Sequence, residues 1–210
     1  MQKINDFWSW FQECHQELYN LHKFDYDLQI YYYLELNAKL EEYNKDIGFI
    51  IKFPESEKAE LVITADGNPD GVLYVRNLIA AAPRLPNWNF TAFVQPMIDV
   101  EKCSQGNDIP YEFDGLTIKA SDLKWLPFEH HEATDKWSLM IYIMGYKQLM
   151  KDIGPTLLEE YIFIILQDLL GEFIVYKRIE RVYYDDLLFN QFELLPIHEL
   201  PEYLSVESAI

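Results

Sequence analysis

The sequence is poor in basic residues, in cysteine and in long hydrophobic runs, and each shortage excludes something. Its 17 Lys and Arg stand against 35 Asp and Glu, a net charge of −18. Nucleic acid and anionic membrane surfaces are therefore unsuitable direct partners, because both are bound through a basic footprint. The two cysteines, Cys14 and Cys103, fall in a predicted helix and a predicted loop without metal-type spacing, so they are expected as reduced thiols. No apolar run approaches the roughly 20 residues of a membrane span, and the opening MQKINDFWSW lacks the basic-then-apolar layout of a secretory signal. Nucleophile elbow, P-loop, dinucleotide fingerprint and zinc-protease helix are missing. The expectation is a cytosolic protein with no metal, no nucleotide and no covalent cofactor.

What is present argues for a packed fold. Half of the 210 residues are hydrophobic and 16% are aromatic, enough for a sizeable core and too much for a disordered chain. The acidic excess is uneven: residues 185–210 carry 6 acidic and no basic residues, and residues 1–46 carry 9 against 4. Residues 47–96 and 137–184, where the strands are predicted, are close to neutral. The charge keeps the surrounding helices, linker and tail in solution, and it also offers an acidic surface to a basic protein partner.

The organising stretch runs from Glu60 to Pro96. Leu61, Val62, Ile63, Thr64 and Ala65 read as a buried strand that stops at Asp66-Gly67. Asn68 then supplies an N-cap and Pro69 a first helical residue. Val72, Val75, Leu78, Ile79 and Ala82 share a helical face, Pro83 and Pro86 prevent continuation, and Trp88, Phe90, Ala92 and Val94 alternate as a second strand.

Ahead of this lies an amphipathic helix marked by Phe7, Trp8, Phe11 and Leu18, and a second helix capped by Asp25, from about Tyr26 to Asn44. The run Tyr31 to Tyr33 reads as core plus rim. Ile47 to Phe53 is a strand turning through ESEK at 55–58. Beyond it, residues 97–122 form a linker with a short strand at Leu116 to Lys119. Leu123 to Phe128 and Trp137 to Met144 form a hairpin across the loop EHHEATDK at 129–136. A helix starts near Pro155, with Thr156 and Glu159 matching a capping box, and ends at Gly171. Phe173 to Tyr184 is a long final strand.

Residues 47–96 and 123–184 thus repeat the order strand, strand, helix, strand. The expected fold is α+β: a mainly antiparallel sheet from two candidate ββαβ units with helices on one face, plus an N-terminal helix pair. The expected organisation is 1–46 helix pair, 47–96 first unit, 97–122 linker, 123–184 second unit and 185–210 acidic C-terminal tail, in one compact domain.

Candidate chemistry is sparse. Asp66, Asn68 and Asp70 with Gly71 match the start of a calcium loop, but Asn77 stands where a bidentate Glu is required, and the same residues are ordinary turn and cap formers. Glu129, His130, His131 and Glu132 are rich in ligand atoms without a zinc spacing, which favours a solvated loop. Glu172 beside Gly171 has the character of a buried general acid, or of a carboxylate paired with Lys177, Arg178 or Arg181.

Together, FWSWF at 7–11, ITADG at 63–67 and AAPRLPNW at 81–88 resemble a group of small bacterial proteins sharing an aromatic first helix and this strand–helix–strand. The resemblance covers residues 1–96 best and carries no activity or functional residue with it. The functional expectation is a non-enzymatic binding protein, of adaptor or immunity type, that engages a basic protein through an acidic, aromatic-containing surface. The alternative is an uncommon hydrolase or transferase with its site near Asp66 and Asp70.

Overall fold

A computed structural model describes residues 2–53, 58–113, 115–188 and 193–205. The fold is α+β, and its contacts divide it into two units, Met1–Val94 and Gln95–Ile210.

The first unit begins with α1, Gln2–Tyr19, whose Phe7, Trp8, Phe11 and Leu18 are buried along one face. After a 3-10 turn at Leu21–Lys23, Asp25 accepts from the Leu28 amide and starts α2, Tyr26–Tyr43. Strand β1, Gly48–Lys52, runs antiparallel to β2, Ala59–Thr64, with Gly48 opposite Thr64 and Lys52 opposite Glu60. The expected turn at 55–58 falls largely outside the described residues. Strand β2 is the central strand and pairs in parallel with β3, Trp88–Ala92. Leu61, Val62, Ile63 and Thr64 point alternately to its two faces and are all buried, so both faces of β2 are covered, which matches the apolar run from Leu61 to Ile63.

The crossover from β2 to β3 is helical, as the sequence predicts, but the α-helix begins three residues after Pro69 and ends before Ala82. Asn68 Oδ1 accepts from the Asp70 amide at 3.0 Å, Pro69 opens a 3-10 turn at Pro69–Gly71, and α3 follows over Val72–Ala80. The apolar face of α1 finds its cover here. Trp8 and Phe11 meet Phe90 edge to face at 4.8 and 5.4 Å between ring centroids, and Phe11 meets Trp88 at 5.0 Å. Trp8 Nε1 donates to the Leu78 carbonyl at 2.9 Å, and Trp88 Nε1 to the His15 carbonyl at 3.1 Å, so neither indole leaves its N–H unpaired.

The second unit opens with α4, Val100–Ser104, capped by Asp99, and a hairpin of β4, Tyr111–Phe113, and β5, Leu116–Ile118. Strands β6, Lys124–His131, and β7, Lys136–Ile143, are antiparallel. Helices α5, Tyr146–Asp152, α6, Pro155–Leu170, and α7, Glu172–Arg178, lead to β8, Ile179–Asp186, which pairs in parallel with β7. A short β9, Leu195–Pro196, joins β6, giving the order β8-β7-β6-β9, and α8, Leu200–Ser205, follows. Leu158, Ile162, Ile165 and Leu169 of α6 share one core with Trp125, Leu139 and Ile141 of the sheet.

Both units therefore place their second strand centrally, antiparallel to the first and parallel to the third. Their strands form separate sheets rather than the single sheet expected, and the second sheet takes its fourth strand from β9. Other expectations are corrected locally. Residues 97–122 carry α4 and a hairpin, and Cys103 lies in α4, not in a loop. The long final strand begins only at Ile179: Phe173 to Tyr176 have strand propensity, but they turn as helix α7, in which Val175 bonds back to Gly171 and joins the core. Helix α6 starts at Gly154, φ +88, with Pro155 as its first residue, so Thr156 is not its cap. Within the expected acidic tail, 185–210, Ile197, Leu200 and Leu204 are core residues.

Candidate functional site

Asp66, Asn68 and Asp70 are brought together by the tight turn that follows β2. Asp66 adopts φ +49, its amide donates to Thr64 Oγ1 at 2.9 Å, and the Asn68 amide donates to the Ala65 carbonyl at 2.8 Å. Asn68 spends its side chain on the cap, and Asp66 and Asp70 point into solvent. These contacts are those of a turn and cap, and they leave no converging ligand set.

Glu172 belongs to the second unit. It is buried as the first residue of α7, where a carboxylate sits well at the positive end of the helix.

His130 and His131 lie on β6, not in a hairpin loop, because the pairing with β7 continues through His131↔Lys136. As strand neighbours they face opposite sides. His130 stacks on Trp137 at 4.4 Å, and its Nε2 lies 3.2 Å from Asp135 Oδ1. The other Asp135 oxygen accepts from Arg178 Nη1. The bond from His130, with the Arg178 charge beside it, holds the Asp135 carboxyl below the usual aspartate value.

On the opposite side, His131 Nε2 lies 2.8 Å from Ser138 Oγ and 3.7 Å from Glu129 Oε2. Serine and acid thus meet the same imidazole nitrogen, whereas a nucleophilic relay needs them on opposite nitrogens. Ser138 is also 0% exposed, so its hydroxyl is closed to a substrate. The contacts are those of a sheet surface fastening itself.

Two features escape the sequence reading. The first is the outer face of α2. Tyr26 is 74% exposed, Leu34 64% and Tyr31 54%, and Ile30 and Tyr33 also remain open. Tyr26, Ile30 and Leu34 follow at intervals of four, so they form one stripe. Within the helix the surrounding charges are Asp27, Glu35, Glu41 and Glu42 against Lys39 alone. The expectation of core plus rim for the Tyr run is corrected: of Tyr31 to Tyr33 only Tyr32 is substantially covered, stacking on Phe24 at 5.9 Å.

The second is a cavity of about 390 Å³ in the second unit, with Met97, Ile98, Ile109 and Pro110 as its apolar walls. Asp99, Lys102, Asp108, Tyr111 and Asp168 supply its polar groups. Tyr111 donates to Asp168 Oδ2 at 2.7 Å, and the Asp168 carbonyl accepts from the Met97 and Ile98 amides at 2.7 and 3.0 Å. Burial first, and the Asp168 bond second, push the Tyr111 hydroxyl well above the usual tyrosine value. A sequence signal existed: Asp168 is the single charge in YIFIILQDLL, an otherwise uncharged run of the core helix.

Burial also raises the thiols, Cys14 to about 12 and Cys103 to about 11, so neither is a ready nucleophile at neutral pH. Among the described residues no cluster of three His, Cys, Asp or Glu could hold a metal ion, and no helix is long and apolar enough to cross a membrane. No family model, curated protein or solved structure matches the chain.

Proposed function

We propose that the protein is a non-enzymatic cytosolic binding protein, of adaptor or immunity type, whose outer α2 face holds a basic protein partner. One observation carries this reading: an exposed stripe of Tyr26, Ile30 and Leu34, flanked by Tyr31, on a helix whose other charges are mainly acidic. Tyrosine is favoured where binding energy is concentrated, and an acidic rim steers and selects a basic partner. The net charge of −18 supports the same polarity at longer range.

The hydrolase or transferase reading near Asp66 and Asp70 is weaker. Two exposed carboxylates in a satisfied turn repel an anionic substrate and hold no nucleophile.

The test is capture on the immobilised protein, followed by identification and titration of the captured protein. The expected partner is basic, and its binding weakens between about 50 and 500 mM salt as screening requires. It is also lost, by about tenfold or more, in the double variant Tyr31→Ser, Leu34→Ser, whose exposed positions leave the fold intact. A partner indifferent to that variant, or turnover in a hydrolase screen that Asp66→Ala abolishes, overturns the reading.

A further inference from the structure

We infer that the cavity of the second unit is a binding site for an aliphatic primary ammonium, a ligand separate from any protein held on α2. Its polar lining carries three carboxylates, Asp99, Asp108 and Asp168, against one cation, Lys102. The lysine stands 3.7 Å from Asp99 at an exposed margin, so those two charges answer each other. Lys119, close by in the chain fold, spends its ammonium on the Gly106 carbonyl at 2.9 Å.

The two buried carboxylates differ in what they have left to offer. Asp168 is tied to Tyr111 through its side chain and to Met97 and Ile98 through its carbonyl, and its work is to hold the wall in place. Asp108 is only 8% exposed, and one of its oxygens accepts from the Ser121 amide at 3.1 Å. Its other oxygen, Oδ1, is buried without any hydrogen-bond partner in the protein. A buried carboxylate oxygen with no donor is costly, and because Asp108 lines the cavity a small turn of its side chain lets a ligand donor there remove that cost.

The chemistry of the lining narrows the ligand. An oxygen acceptor calls for an N–H donor, which a primary ammonium has and a quaternary one lacks. Quaternary ammonium groups are recognised by aromatic cages, and here the walls are Met97, Ile98, Ile109 and Pro110 with Tyr111 as the single ring. Those walls suit an alkyl stem. The volume, about 390 Å³, lies within the range of small organic ligands, and no set of three carboxylate, thiol or imidazole groups is placed for a metal among the described residues. An ammonium head against Asp108 with its chain along Ile98 and Ile109 satisfies both halves of the lining.

The probe is n-pentylammonium chloride, followed by amide chemical shifts at about 150 mM salt, with 1-pentanol and pentanoate as neutral and anionic controls of equal length. Expected is saturable binding of the ammonium that perturbs residues around Asp108 and Tyr111, with the alcohol at least about tenfold weaker and pentanoate without effect. Asp108→Asn keeps an acceptor for the Ser121 amide while removing the charge, and it weakens the ammonium by about tenfold or more. Ile109 is 84% exposed, so Ile109→Arg leaves the core intact and lowers affinity by placing a competing cation at the mouth. Pentanol binding as well as the ammonium overturns the inference. So does equal affinity in wild type and both variants, or an absence of saturable binding that leaves the cavity to water alone. None of these results bears on α2, whose variant Tyr31→Ser, Leu34→Ser binds pentylammonium like the wild type.

Discussion

Gly71 shows how a single position can be dictated by space rather than by backbone angle. Its φ of −74 suits any residue, yet a Cβ there would lie 2.5 Å from the Asp46 carbonyl oxygen and 3.1 Å from Ala65 Cβ. Gly71→Ala should therefore cost about 1–3 kcal/mol in urea denaturation, the usual range for overpacking. Gly48→Ala meets only Thr64 Cγ2 at 3.5 Å, an ordinary contact, and should stay within about 0.5 kcal/mol of wild type. Titration adds two limbs to the stability curve. The Asp135 carboxyl titrates below its ordinary 3.8 in the folded state, so its contribution is complete above that value and is lost as pH falls through the lowered one. Asp135→Asn should flatten this acid limb. Tyr111 is shifted the other way, above its ordinary 10.0, so its contribution is intact below pH 10 and declines as pH rises beyond it. Tyr111→Phe should make stability less steep above pH 10, while losing the Asp168 bond at neutral pH.

Among the elements, α6 carries the core of the second unit, and its two faces make opposite predictions. Ile162→Ala, at a fully buried site, should destabilise by about 2–5 kcal/mol, whereas the exposed Ile164→Ala should change stability by less than about 0.5 kcal/mol, both read by denaturant titration. The same contrast explains what could be read in advance. Helices α1, α3 and α6 bury residues at three-four spacing over two turns or more, and all three were legible. Helices α4, α5 and α7 span five to seven residues, too few to establish a period, and Phe173 to Tyr176 have side chains that favour a strand. The turn at Asp66, Asn68 and Asp70 was legible because its capping chemistry is local. The sequence puts His130 and His131 in a loop because polar residues continue through the strand end, and only the pairing with β7 extends it. The cavity was out of reach, since Asp108 and Asp168 lie far apart in sequence and are joined only by packing. The exposure of Tyr31 and Tyr33 depended likewise on which α2 face met the sheet.

For the whole molecule, the acidic excess acts on folding and on association with opposite sign. Raising salt from about 50 to 500 mM should increase the melting temperature by screening self-repulsion and should weaken the basic partner over the same range. A melting temperature that falls with added sodium chloride would contradict this. The fastening of Trp125 bears on something else, the order in which the protein is made. Its indole donates to the Pro196 carbonyl at 3.1 Å across 71 residues of chain, and its ring is met by Tyr203 at 4.9 Å. The sheet of the first unit is complete once Ala92 has emerged, because its strands β1, β2 and β3 all precede that point. At about 5–20 residues per second, Trp125 waits roughly 4–14 s on the ribosome for its acceptor. During that interval the Trp125 indole N–H lacks the carbonyl it donates to in the folded unit, so the last fastening of this core residue is set by synthesis of a segment 71 residues further on.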